Sequence, residues 1–149
     1  MGNVTEAKAE LAQLPTSLQS HPDVLEVRWL ICQAEEDWEG GLRAARAMVE
    51  AAPKRASGWL HLSYAIRRVP EGGVEKAFEA LRPAFEKFPK EPTIPYNLSC
   101  YACQMQQLDL ARHWLKRAMK IGGKDAIRKM ALADDDLKPL WTEIREPLN

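Results

Sequence analysis

The run Ser57-Gly58-Trp59-Leu60-His61-Leu62-Ser63-Tyr64-Ala65-Ile66 and, beyond Pro70-Glu71-Gly72-Gly73, the run Ala77-Phe78-Glu79-Ala80-Leu81-Arg82-Pro83-Ala84-Phe85 carry the clearest structural signal in the chain. Trp59, Leu62, Ser63 and Ile66 fall at i, i+3, i+4 and i+7, one stripe of a 3.6-residue period. Ala77, Leu81, Ala84, Phe85 and Phe88 form a second stripe, and Pro89 closes it. Small residues at 63, 77 and 84 suit places where two antiparallel helices approach closely. The stretch predicts two helices folded back on each other.

The same unit recurs on either side. Asp23–Pro53, Ser57–Pro89 and Thr93–Gly122 align as three copies. Leu25, Trp59 and Pro95 take equivalent places in the first halves, 34 and then 36 residues apart; Gly41, Ala77 and Ala111 correspond in the second halves, 36 and then 34 apart. One insertion of two residues, at Pro70–Gly73, accounts for every offset. In the third copy the stripes are Leu98, Ser99, Ala102 and then Ala111, Leu115, Ala118. Internal repetition at this period points to a stacked array of identical supersecondary units.

The pattern resembles the tetratricopeptide repeat family, whose units carry a large residue, then Leu, small, apolar, small and Ala positions, and a closing Pro. Trp59, Leu62, Ser63, Ile66, Ala77, Leu81, Ala84 and Pro89 match in the middle copy, and Tyr96-Asn97-Leu98-Ser99, Ala102, Ala111, Leu115 and Ala118 in the third. In the first copy Leu25, Cys32, Trp38, Ala45, Met48 and Pro53 fit, while Arg28, Trp29 and Gly41 depart from the pattern. The resemblance implies an all-α helix-turn-helix solenoid of about three repeats with helical caps. Its expected layout within a single domain, 1–149, is an N-terminal cap or half repeat over 1–22, repeats over 23–55, 56–91 and 92–123, and C-terminal capping helices over 124–149. Ala7, Leu11 and Leu14 form the leading amphipathic stretch, ended by Pro15. Asp125–Leu132 reads as one further helix, and Asp134-Asp135-Asp136 as the start of a last short one through Trp141, with Leu137, Leu140, Trp141 and Ile144 covering the end of the array.

Composition limits what such a chain can do. Its 149 residues are enough for a core without metal or disulfide, and 21 Lys and Arg balance 21 Asp and Glu, which argues against a dedicated nucleic-acid binder. There is no apolar run long enough to span a membrane. Met1–Glu6 lacks the layout of a secretion signal, and Glu6 stands where a myristoylation pattern at Gly2 wants Ser or Thr. Cys32, Cys100 and Cys103 therefore read as free thiols, and the expected location is the cytoplasm.

Few residues suggest chemistry. Cys100-Tyr101-Ala102-Cys103 is a CxxC in mid-helix with no second ligand pair, so it reads as two ordinary helix thiols and not as a metal or redox site. His21, His61 and His113 are scattered, and no phosphate loop, nucleophile elbow or dinucleotide fingerprint is present. No enzymatic activity, metal or cofactor is expected. Between Arg112 and Lys129 seven cations face one Asp125, a solvated face or a docking patch for an acidic partner. Glu35-Glu36-Asp37 near the other end makes head-to-tail self-association a further option.

In the family it resembles, the first helix of each unit lines a concave groove. Carried over place by place, the resemblance assigns partner contacts to Glu26, Leu30 and Gln33 in the first copy, Leu60, Tyr64, Arg67 and Arg68 in the second, and Tyr96, Asn97, Cys100 and Gln104 in the third. Asn97 resembles an Asn with which one subfamily grips a peptide carboxylate, but His61, Glu26 and Leu30 stand where the rest of that clamp is wanted, and Glu26 would repel a carboxylate. The implied function is an adaptor or scaffold binding a peptide or helix of another protein, with no membrane partner. The alternatives are a secretion-type chaperone holding an unfolded client, and an RNA-associated accessory protein using the basic 112–129 segment.

Overall fold

The computed structural model describes residues 2–146, whose regular elements are all helices joined by turns, with no strand among them. The last residues of the expected C-terminal cap, 147–149, lie outside the described residues, as does Met1. No helix among the described residues is long and apolar enough to cross a membrane. Contacts divide the chain into two compact units, Met1–Gly73 and Val74–Asn149. The division falls at the inserted Pro70–Gly73, inside the middle copy. There Gly73 takes φ 124° and donates its N–H to Ile66 O at 3.0 Å, and a Cβ on Gly72 would lie 1.6 Å from that same carbonyl oxygen.

The N-terminal unit comprises α1 (Gly2–Ala12), a 3-10 turn at Thr16–Leu18, α2 (Pro22–Ala34), α3 (Trp38–Ala51) and α4 (Ala56–Arg68). α2 starts where His21 Nδ1 accepts the Asp23 N–H and Pro22 supplies a preset φ. It ends in a Schellman turn: Glu36 has φ 56° and donates to Gln33 O, and Asp37 N–H reaches back to Cys32 O. Asp37 then caps α3 by accepting the Gly40 N–H at 3.0 Å. Leu25, Trp29, Ala45, Met48 and Ala65 form the core of this unit.

Trp29 and Gly41, two of the three departures from the repeat pattern, meet each other. A Cβ on Gly41 would lie 2.9 Å from Trp29 Cζ3, so only the missing side chain lets the indole sit against α3. Their counterparts in the third copy are Ser99 and Ala111, where the Ser99 hydroxyl donates to the Ala111 carbonyl at 2.7 Å. The first copy replaces a small-on-small contact with a large residue on none.

The C-terminal unit comprises α5 (Val74–Leu81), α6 (Ala84–Lys87), α7 (Thr93–Gln104), α8 (Leu108–Gly122), α9 (Lys124–Leu132), a 3-10 stretch at Asp135–Leu140 and α10 (Trp141–Arg145). The turn between α7 and α8 has the hydrogen bonds of that between α2 and α3: Gln106, at φ 62°, donates to Cys103 O, and Gln107 donates to Ala102 O. α2, α4 and α7 end at residues 34, 68 and 104, and α3, α5 and α8 begin at 38, 74 and 108. These are the offsets seen in the side-chain pattern.

Two expectations need correction. The stripe from Ala77 to Phe88 is not one helix, because Pro83 has no N–H and interrupts it between α5 and α6. Pro83 keeps helical angles (φ −63°, ψ −22°), so the stripe keeps its direction across the gap. Trp141 opens α10 and does not end the last helix; the acidic run caps a 3-10 stretch, with Asp134 accepting the Asp136 N–H at 3.0 Å. Leu137, Leu140 and Ile144 are buried, and the half-buried Trp141 donates Nε1–H to Ala131 O at 2.8 Å.

Candidate functional site

In the N-terminal unit α2 and α4 meet through side chains that include two named as partner contacts, Glu26 and Tyr64. Glu26 accepts from His61 Nε2 at 2.9 and 3.1 Å. The His61 ring stacks on Trp29, with centroids 4.5 Å apart and planes 16° apart. Tyr64 stands edge-on to Trp29 at 6.0 Å and packs on Trp38 at 5.6 Å. The Arg68 guanidinium lies 3.5 Å from the Tyr64 ring centroid and 5.2 Å from that of Trp38, and also donates to the Tyr64 carbonyl. Desolvated cation–π contacts of this kind contribute about 1–2 kcal/mol each. The result is a fixed plate of aromatic rings with a guanidinium on it.

Leu30, one turn beyond Glu26, is 52% exposed, and Val27 is 37% exposed. Gln33, Leu60 and Arg67 are half-buried. The structure thus gathers Glu26, Tyr64 and Arg68 into one cluster, with Leu30 outside it in solvent. Sequence reasoning missed Trp29, Trp38 and His61 as members. The available signal was the density of rings at Trp29, Trp38, His61 and Tyr64, with Trp29 placed where the repeat pattern has another residue type.

The third copy's predicted contacts stand differently. Tyr96 and Cys100 are buried, at 5% and 4% exposure, under the chain's own C-terminal segment. The Tyr96 hydroxyl donates to Asp134 Oδ2 at 2.9 Å, the Cys100 thiol points at the same oxygen from 3.6 Å, and the exposed Gln104 donates to the Asp136 carbonyl. Asn97 is half-buried. This side of α7 is apolar, and residues 134–140 cover it, with Leu137 and Leu140 in the same core cluster as Tyr96 and Cys100. Tyr96 and Cys100 are therefore occupied by an internal segment and are not open to a partner in this arrangement.

Two of the three thiols, Cys32 and Cys103, are pushed away from the reactive thiolate. Burial, with Asp136 adding, pushes the Cys103 thiol up, and burial followed by Asp37 and Glu35 does the same to Cys32. Cys100, Asp134 and Asp136 bring possible ligand atoms within 4.8 Å of one another, but both Asp134 oxygens already accept hydrogen bonds, Oδ2 from Tyr96 and Cys100 and Oδ1 from the Asp136 N–H. The arrangement is that of a capping contact.

Tyr96 gives this contact a pH signature. Burial first, then Cys100 and the Asp134 hydrogen bond, pushes its phenol above the ordinary tyrosine range. In the unfolded chain the phenol ionises near pH ~10. The folded state keeps its proton longer, so the contribution is complete below about pH 10 and is lost as pH rises further. Tyr96→Phe should lower stability by about 1 kcal/mol at neutral pH. It should also reduce the alkaline fall in melting temperature, which thermal melts between about pH 9 and 11 would measure.

On α8 the basic segment is partly neutralised. Arg112 makes a two-pronged pair with Glu143, at 2.7 and 2.6 Å, and reaches Asp109 at 2.6 Å. The pair holds the Glu143 carboxyl below its usual range and Arg112 above its own. His113, Lys116, Arg117 and Lys120 follow along one exposed side of the helix. Arg117 also lies over the Phe85 ring, 5.5 Å from its centroid.

Comparison with known proteins finds no family model that matches the chain and no match among curated proteins.

Proposed function

We propose that this chain is a tetratricopeptide-type repeat protein, an adaptor or scaffold that docks a segment of another protein on the α2–α4 face of its N-terminal unit. The observation that supports this most is the exposure of Leu30 and Val27 beside an ordered Glu26–His61 pair and a Tyr64–Arg68–Trp38 plate. Interfaces draw most of their energy from rigid aromatic and Arg anchors with an apolar neighbour, and this face holds both. The fold type rests on the three-copy pattern and the repeated helix ends, and the step from fold to binding is by analogy.

An adaptor fits better than a chaperone for unfolded clients, because two exposed apolar side chains make a small patch and not a broad holding surface. Three cysteines without a disulfide fit a reducing compartment, and a cytoplasmic location is part of the proposal.

Tyr64 is built into the core cluster of its unit, so its removal confounds folding with binding. Leu30→Glu is the cleaner probe. It should leave stability within about 0.5 kcal/mol, as exposed substitutions do, and abolish capture of the partner from a lysate of the source organism. Undiminished capture by a folded Leu30→Glu protein would refute the α2–α4 face as the docking surface.

A further inference from the structure

A second feature of the N-terminal unit lies on other faces of its helices and does not depend on the docking proposal. Between α1, α2 and α3 runs a cleft of about 450 Å³. That is within the range of small-ligand sites, about 300–1,000 Å³. Leu25 and Ile31 from α2, Ala44 and Ala47 from α3, and Leu11 from α1 form its apolar walls. The apolar residues of α3 there are small, which leaves room between the helices. Cys32 also lines the cleft, its thiol held neutral by burial.

The rim is charged, and its charges do not cancel. Lys8 pairs with Glu35 at 2.8 Å, and Asp37 accepts the Gly40 N–H at the start of α3. Glu35 is thus ion-paired, whereas Asp37 keeps its charge, so the three cations and two carboxylates of the rim leave one positive charge in excess. Arg28 is hydrogen-bonded to the neutral side-chain oxygen of Gln19, and Arg43 is exposed. Neither arginine has a carboxylate partner among the described residues, and both line the cleft. An apolar trough beside two guanidinium groups that have no ion-pair partner, on a rim with one cation in excess, is complementary to a molecule with an apolar body and an anionic head, since guanidinium–carboxylate hydrogen bonds are among the strong ones.

We infer that the cleft between α1, α2 and α3 is a binding site for a small amphipathic anion, its apolar body against Leu25, Ile31, Ala44 and Ala47 and its carboxylate or similar head at Arg28 and Arg43. Octanoate, with 1-octanol as its neutral counterpart, is the probe. Titrated calorimetrically into the full chain at pH 7 up to about 5 mM, octanoate should bind saturably with one-to-one stoichiometry. Arg43→Gln should weaken octanoate by about tenfold and leave octanol within about twofold. Ala47→Leu, which fills the trough, should remove both.

Backbone amide shifts of the wild-type protein give a reading independent of any variant, and should move at the cleft residues of α1, α2 and α3. Absence of saturable binding, shifts centred elsewhere, or binding unaffected by Ala47→Leu would overturn the site. Equal effects of Arg43→Gln on octanoate and octanol would overturn the anionic head. None of these results bears on capture through Leu30, so the two proposals fail separately.

Discussion

Trp29→Ala should destabilise the N-terminal unit by about 3–5 kcal/mol, enough to unfold much of it at physiological temperature. Trp29 is 1% exposed and touches Trp38, His61 and Tyr64, so its loss removes a large apolar area and leaves three rings facing a void. A sharper form of the prediction uses Gly41. Gly41→Ala alone should cost about 1–3 kcal/mol, because the new methyl meets Trp29 Cζ3 at 2.9 Å. With Trp29→Ser already in place, the pair has the residue types of Ser99 and Ala111. Gly41→Ala should then be neutral or stabilising, helped by a helix preference for Ala over Gly of about 1 kcal/mol. Urea unfolding of the four proteins in the cold, with a stabilising osmolyte that keeps the two Trp29→Ser proteins folded at zero urea, measures the coupling, expected to exceed about 1 kcal/mol. An identical cost of Gly41→Ala in both backgrounds would contradict the contact between these two residues.

Ala111→Arg should have a comparable effect in the C-terminal unit. Ala111 is fully buried where α7 and α8 approach closely enough for the Ser99 hydroxyl to reach its carbonyl. A guanidinium there has no room, and its charge would be taken out of water, which places the substitution among those costing more than about 4 kcal/mol. Residues 74–146 should lose their helical circular dichroism and dispersed amide signals at 25 °C, whereas Ala111→Gly should cost only about 1 kcal/mol. If Ala111→Arg melts with the parent, the α7–α8 packing described above is wrong.

What the sequence made legible was whatever is local and periodic. The stripes through Trp59–Ile66 and Ala111–Ala118 follow from side chains a turn apart, and the ends of α2, α4 and α7 follow from their repetition. The break at Pro83 was hidden because a proline with helical angles leaves the apolar stripe in phase while removing one hydrogen bond. The covering of Tyr96 and Cys100 was hidden for another reason. The residues that cover them, Asp134 and Asp136, lie more than 30 positions away, and periodicity within a helix carries no information about a later segment. Trp29 and Gly41 each broke the pattern, and only together do they make a packing solution.

The central claim, that α2 and α4 present a docking face, is tested most directly by capture with two charge-altered baits side by side. Leu30→Glu alters the proposed face, and Lys116→Glu with Lys120→Glu alters the exposed basic side of α8. The account predicts that a partner retained by the wild-type chain is lost with Leu30→Glu and kept with the α8 variant, all three baits having the same melting temperature within about 2 °C. Retention by Leu30→Glu with loss in the α8 variant would contradict it and move the working surface to the basic helix.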